Sequence, residues 1–176
     1  MVALGYKAAE ANTNAAFSGG HGGFANTAIG YEALKTNTSV GDYNVAVGYF
    51  ALQLNQVGTD NTGIGRSALQ KNTHGSSNMG LGSLALNSNI TGNYNVGIGR
   101  QALFSTTGSF NVGIGRDAGF AATGSSNIFI GNQAGFSETG SHKLYISNSN
   151  SANPLIKGDM SNTGNWLQIN AKTTGY

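Results

Sequence analysis

The chain has 176 residues, enough for one domain. Glycine supplies 28 of them and charged residues only 9%, far below the roughly 25% usual in soluble domains. A net charge of +2 without a Lys/Arg run excludes nucleic acid as a partner, and the absence of cysteine excludes disulfides and thiolate metal sites.

The first predicted element is MVALG at residues 1–5, a strand-like segment that recurs down the chain. Met1 falls inside the repeat, which points to a piece of a longer protein or a fibre subunit docked on another chain. MVALGYKAAE lacks the basic region and apolar core of a signal peptide, and no apolar run of about 18 residues is present for membrane insertion. A longer loop follows, from Glu10 to Ala25, containing SGGHGGF. Long loops on solenoids lie on one face and often bind; the alternative is a disordered tip.

The unit N-x-[AG]-[IVL]-G-x-x-A-[LG] then opens at Asn26, Asn44, Asn61, Asn78, Asn95, Asn111 and Asn127, in steps of 18, 17, 17, 17, 16 and 16. Each polar loop carries a glycine three residues before the next unit, from Gly23 to Gly140, and a further step of 16 reaches KLYIS at Lys143. Such units are too short for helical-pair repeats and too rich in glycine for helices. They predict an all-β protein, a parallel β-solenoid whose coils each hold a strand, a turn, a second short extended piece at x-A-L and a return loop. The recurring Asn either forms an amide ladder along the axis or shapes its own turn. The repeat domain is placed at 1–140, with units starting near 1, 26, 44, 61, 78, 95, 111 and 127, and a C-terminal β cap or transition at 141–176.

Period-two alternation puts Thr27, Val45 and their equivalents on one face with Ile29 and Val47. That face is expected to be the buried wall, with Leu52 completing the interior. The other face holds Ala28, Gly63, Gly80, Gly97 and Gly113, and with it go Gly30, Gly48, Gly65, Gly82, Gly99, Gly115 and Gly131. Glycine within a strand often marks close approach of another backbone. This bare face is therefore expected to pack against neighbouring chains.

The tandem N-T-A-I-G, N-V-A-V-G and N-V-G-I-G resemble the N-S-V-A-I-G head repeats of YadA-type trimeric autotransporter adhesins. Similar units, with the Y-x-A-L continuation seen at Tyr31–Leu34 and Tyr49–Leu52, occur in tail fibres of phages and related contractile particles. The resemblance covers about residues 1 to 147. It implies a left-handed parallel β-roll, a homotrimer joined to neighbouring fibre or stalk segments, and an extracellular attachment role toward a cell-surface glycan or protein receptor. A complete chain of 176 residues favours the phage or injection-particle fibre, and an excised head favours the adhesin.

From Asn95 the shorter units carry Phe104, Phe120 and Phe136, expected to stack at one corner, while Phe129 and Tyr145 fill the small-residue face. Three strands are expected near 144–147, 154–157 and 166–170. The position after the strand glycine reads Tyr6, Tyr31, Tyr49, Arg66, Ser83, Arg100, Arg116 and Asn132. Stacking turns it into a stripe able to hold sugars by ring contact or anionic polymers through guanidinium; otherwise it is a solvated ridge. His21 in the long loop joins Tyr31, Tyr49, Arg66, Arg100 and Arg116 as candidate receptor contacts. His21, His74 and His142 occupy unrelated columns and form no ligand set, although a threefold axis brings three copies of one together. With seven acidic residues in all, no catalytic carboxylate pair, metal or cofactor is expected. The remaining classes are an architectural spacer that binds nothing and an ice-binding array, against which the irregular Thr27, Val45, Thr62, Met79 column counts.

Overall fold

A computed structural model describes residues 1–11, 25–38, 41–151 and 153–170. Each predicted unit opens a three-residue strand: β1 (Val2–Leu4), β2 (Thr27–Ile29), β3 (Val45–Val47), β4 (Thr62–Ile64), β5 (Met79–Leu81), β6 (Val96–Ile98), β7 (Val112–Ile114) and β8 (Ile128–Ile130). They pair in chain order, parallel and with equivalent positions aligned, so Ala3, Ala28, Ala46 and Gly63 form one column. Strand β9 (Lys143–Ile146) continues the parallel stack, whereas β10 (Ile156–Asp159) and β11 (Trp166–Ile169) run antiparallel. The result is a parallel β-solenoid of about seven coils of about 17 residues, with one sheet, 11-stranded among the described residues, as its wall. The three terminal strands lie within two residues of their predicted places. The loop SGGHGGF and His21 lie outside the described residues.

The opening asparagines form both structures that the repeat left open. The backbone N–H of Asn44 donates to Oδ1 of Asn26 at 2.7 Å, and the step recurs at 3.0 Å through Asn127 before ending on the N–H of Lys143 at 2.8 Å. Each Nδ2 meanwhile donates to the loop glycine closing its own unit, at 2.7–3.0 Å. One buried amide thus ties a coil to its successor and pins its own turn.

A second ladder explains the change in repeat length. Asn37, Asn55, Asn72 and Asn89 each donate from Nδ2 to their own loop glycine at 2.8–3.0 Å. The last three also donate to the preceding Oδ1 at 2.7–2.9 Å. In the next coil the loop Asn89–Gly92 shrinks to Thr106–Gly108, the column continues as Thr106, Ala122 and Glu138, and Oδ1 of Asn89 is left buried without a donor. At the same coil the neighbouring amide column of Gln53, Gln70 and Asn87 gives way to Phe104, Phe120 and Phe136. These rings stack at 5.0 and 4.9 Å, nearly parallel, as expected from the sequence. An aromatic stack replaces amide hydrogen bonds where the shorter loop no longer presents its turn asparagine.

The two strand faces are the reverse of the sequence expectation. Ala28, Ala46, Gly63, Gly80, Gly97 and Gly113 point into the coil and are buried, while Thr27, Val45, Ile29, Val47 and their equivalents point outward, half-buried or exposed. The physical cause is the turn. It is not an extended piece: Leu34, Leu52, Leu69, Leu86 and Leu103 have φ between +49° and +52°, which swings each leucine across the narrow interior. A left-handed conformation costs a non-glycine residue about 1–2 kcal/mol, and burying a leucine side chain returns about 1.5–3 kcal/mol. The leucine leaves room opposite for only the smallest residue, since a Cβ at Gly97 would lie 3.1 Å from Cγ of Leu86. Where Phe129 occupies the strand centre, the leucine column becomes Gly119 and Gly135, and a Cβ at either would collide with the phenyl ring. Large and small residues exchange sides while the interior stays filled.

Candidate functional site

The outward face forms a continuous apolar wall. One column runs Val2, Thr27, Val45, Thr62, Met79, Val96, Val112, Ile128 and Leu144, and the next runs Leu4, Ile29, Val47, Ile64, Leu81, Ile98, Ile114, Ile130 and Ile146. Although β10 reverses direction and β11 reverses it again, their register keeps the same parity, because residues directly opposite one another share a face. Ile146 pairs with Ile156 and Ile156 with Ile169, while Leu144 pairs with Gly158 and Gly158 with Leu167. The wall therefore crosses all 11 strands, roughly 50 Å at the usual spacing between strands. Exposure is 42% at Leu81, 38% at Ile114 and 61% at Ile169, and a contiguous run of exposed apolar side chains of this kind marks an interaction surface.

The expected packing residues lie elsewhere. Ala28, Gly63, Gly80, Gly97 and Gly113 are consumed by the interior of their own chain. Gly30, Gly48, Gly65, Gly82, Gly99, Gly115 and Gly131 face along the stack, with φ between +111° and +135°. A Cβ at Gly82 would lie 2.6 Å from the carbonyl oxygen of Gly99 in the next coil. The close backbone approach inferred from the glycines is real, and it is intrachain.

Beside the wall, Tyr6, Tyr31 and Tyr49 stack at 5.2 Å, tilted by 18° and 16°. Both faces of Tyr31 meet a ring, and Nζ of Lys7 lies 5.7 Å from the ring centre of Tyr6, so the stripe offers mainly ring edges and hydroxyls to solvent. Phe50 packs at 4.0 Å from Tyr49. Arg66, Arg100 and Arg116 continue the column and are exposed. Nε of Arg116 donates to Oδ1 of Asn132 at 2.9 Å and lies 3.3 Å from Asp117, so its charge is partly neutralised. Tyr94 and Phe110 stack at 5.1 Å on the other margin, a second aromatic strip outside the columns that the repeat picks out. His74 and His142 are exposed in separate coils. Among the described residues no three His, Cys, Asp or Glu side chains converge, and no helix is long and apolar enough to cross a membrane.

A polar cluster sits where the coil ends. Glu138, which takes the place of the loop asparagines, accepts from the Tyr145 hydroxyl at 2.6 Å and from the N–H of Gly140 at 2.7 Å. Burial, then the hydrogen bond to Glu138, pushes the Tyr145 hydroxyl far above the ordinary phenol range. Burial also disfavours charge on Glu138, but the Tyr145 and Gly140 donors with Lys143 outweigh it and hold the carboxyl below its usual value. Nζ of Lys157 lies 5.2 Å from the Tyr145 ring centre. These groups border a cavity of about 340 Å³ with Phe136, Asn150 and Ser151. A second cavity, of about 380 Å³, opens on the wall side around Gly158, between Leu144, Met160 and Leu167.

Lys143 and Asp159 clasp β9 to β10 at 2.6 Å. The Lys143 ammonium, with Ser161, holds the Asp159 carboxyl well below the carboxylate range. Asp159 therefore stabilises the cap fully above the unfolded carboxylate value of about 3.9, and that stability is lost as pH falls through the depressed folded value. Trp166, the single tryptophan, pairs with Asp159 across β10 and β11. Its fluorescence is expected to stay constant through the ordinary carboxylate range during acid titration. In Lys143→Ala the Asp159-linked change moves up into that range. No shift between the two titration curves removes the clasp from this account.

No protein-family model, curated protein or solved structure matches this chain.

Proposed function

We propose that the protein is a non-enzymatic structural and attachment module of a fibre, in which three copies pack side by side through the apolar wall. The 11-strand wall carries this proposal: a rod whose coils are locked by buried amide ladders still leaves its β-branched face open to water. Association covers that face. The left-handed coil and threefold symmetry extend the resemblance to adhesin heads and tail fibres, as does an extracellular position toward a host or cell-surface receptor. The stacked tyrosines favour a second proposal, an architectural spacer, because their faces are mostly covered.

Light scattering on the chromatographed protein tests association. The expected mass is three times the 18.0 kDa of the chain. A species of 18.0 kDa with the wall exposed overturns the proposal. A glycan array then separates attachment from spacer: an Arg100→Ala, Arg116→Ala pair that binds as well as the parent clears the arginine stripe of that role.

A further inference from the structure

We infer that the cavity at the end of the coil interior binds a neutral pyranose. The inference deepens the attachment proposal and rests on it for its biological role, while the pocket's chemistry stands by itself. Phe136 is the last ring of the Phe104–Phe120–Phe136 stack. One of its faces meets Phe120 at 4.9 Å, and the ring borders the cavity together with Asn150 and Ser151. An aromatic ring at the border of a cavity suits the apolar C–H face of a sugar ring, whereas the tyrosine stripe borders neither of the two cavities.

The polar groups around that ring suit the hydroxyls at a sugar's edge. Each oxygen of Glu138 takes one donor from the protein, leaving a lone pair apiece for a sugar hydroxyl. Lys157 contributes an ammonium, and Asn150 and Ser151 contribute groups that both donate and accept. Glu138 and Lys157 balance in charge, which favours a neutral ligand over an acidic one. At about 340 Å³ the cavity lies at the small end of ligand pockets, in keeping with a single ring and its linkage.

The site also remains open in the proposed assembly. Along β9 and β10 the side chains alternate, so Tyr145 and Lys157 lie on the opposite side of the sheet from Leu144, Ile146 and Ile156. Packing of the wall leaves the cavity reachable. The residues that line it end columns that change over the last coils: Glu138 follows Thr106 and Ala122, Tyr145 follows Phe129, and Gly135 follows Gly119.

Saturation-transfer NMR on the full chain tests the site, with the methyl glycosides of glucose, galactose and N-acetylglucosamine as neutral probes and N-acetylneuraminic acid as the acidic one. At least one neutral probe is expected to receive saturation, strongest at the ring C–H protons. Phe136→Ala is expected to weaken binding about tenfold or more, and Phe136→Trp to preserve it. Because Phe136 also supports Phe120, Lys157→Met is the second variant, expected to weaken binding several-fold. Absence of transfer to every neutral probe at millimolar concentration overturns the site. So does binding unchanged in Phe136→Ala and Lys157→Met, loss confined to the Arg100→Ala, Arg116→Ala pair, or preference for the acidic probe. Light scattering on the same samples keeps the two proposals apart: a trimer without sugar binding overturns the pocket alone, and a sugar-binding monomer upholds the pocket while overturning the assembly.

Discussion

Asn78→Ala is expected to lower the stability of the coil stack by about 3 kcal/mol, read as a shift of the urea midpoint. Oδ1 of Asn78 accepts from the N–H of Asn95 at 3.0 Å. Its Nδ2 donates to the carbonyl of Gly92 at 2.8 Å and to Oδ1 of Asn61 at 3.1 Å. Alanine strands the N–H of Asn95 where water does not reach, at about 1–3 kcal/mol. It also removes one of two donors from Gly92, which keeps Nδ2 of Asn89, and from Oδ1 of Asn61, which keeps the N–H of residue 78. Each of these lost bonds adds about 1 kcal/mol. Asn78→Asp separates the two roles. The acceptor survives, but the carboxylate faces two oxygens, so the loss is expected to equal or exceed that of alanine. Asn93→Ala is the milder comparison, since Asn93 belongs to a half-buried ladder and accepts from the N–H of Ser76 at 2.7 Å. Stability in a solenoid is carried by contacts between neighbouring coils. Hydrogen exchange should therefore show lost protection at Asn95 and in the coils around it first. An unchanged midpoint for Asn78→Ala would mean that the ladder is ornament.

The second large effect concerns the wall. Ile64→Asp with Ile98→Asp is expected to turn the assembled protein into a folded species of 18.0 kDa. Both isoleucines are half-buried on the outward face, so the isolated coil depends on them little, and circular dichroism should be close to that of the parent. Within an assembly the same carboxylates lie against apolar side chains, where an unpaired charge is strongly disfavoured. Leu103→Asp provides the contrast. Leu103 is fully buried inside the coil, and its replacement is expected to unfold the local stack whatever the state of association. If the outward pair unfolds the protein and the inward substitution is tolerated, the assignment of the two faces is reversed.

Repeat length, strand positions, the parallel register and the phenylalanine corner were all legible in the sequence. They follow from local periodicity: Asn at the head of each unit, alternation through three residues, glycine after. Even the interior exchange is written there, since Phe129 arrives together with Gly119 and Gly135. Alternation, however, separates two faces without saying which one looks inward. The left-handed turn decided it by folding Leu86 and its equivalents back over the strand centre, where only alanine or glycine fits. The side-chain-poor strand face then became the packed interior, and the β-branched face became the exterior wall.

The candidate pocket was less legible, because Phe136, Glu138, Tyr145, Ser151 and Lys157 come from four successive segments. Their only sequence signal is that three columns drift over the last coils, ending at Gly135, Glu138 and Tyr145. Sequence by itself determined the coil and its period, because hydrogen bonding between equivalent residues requires equivalent residues to recur. The tertiary structure alone decided inside from outside and joined the pocket's segments, because both depend on how far a side chain reaches across a space that no single repeat encloses.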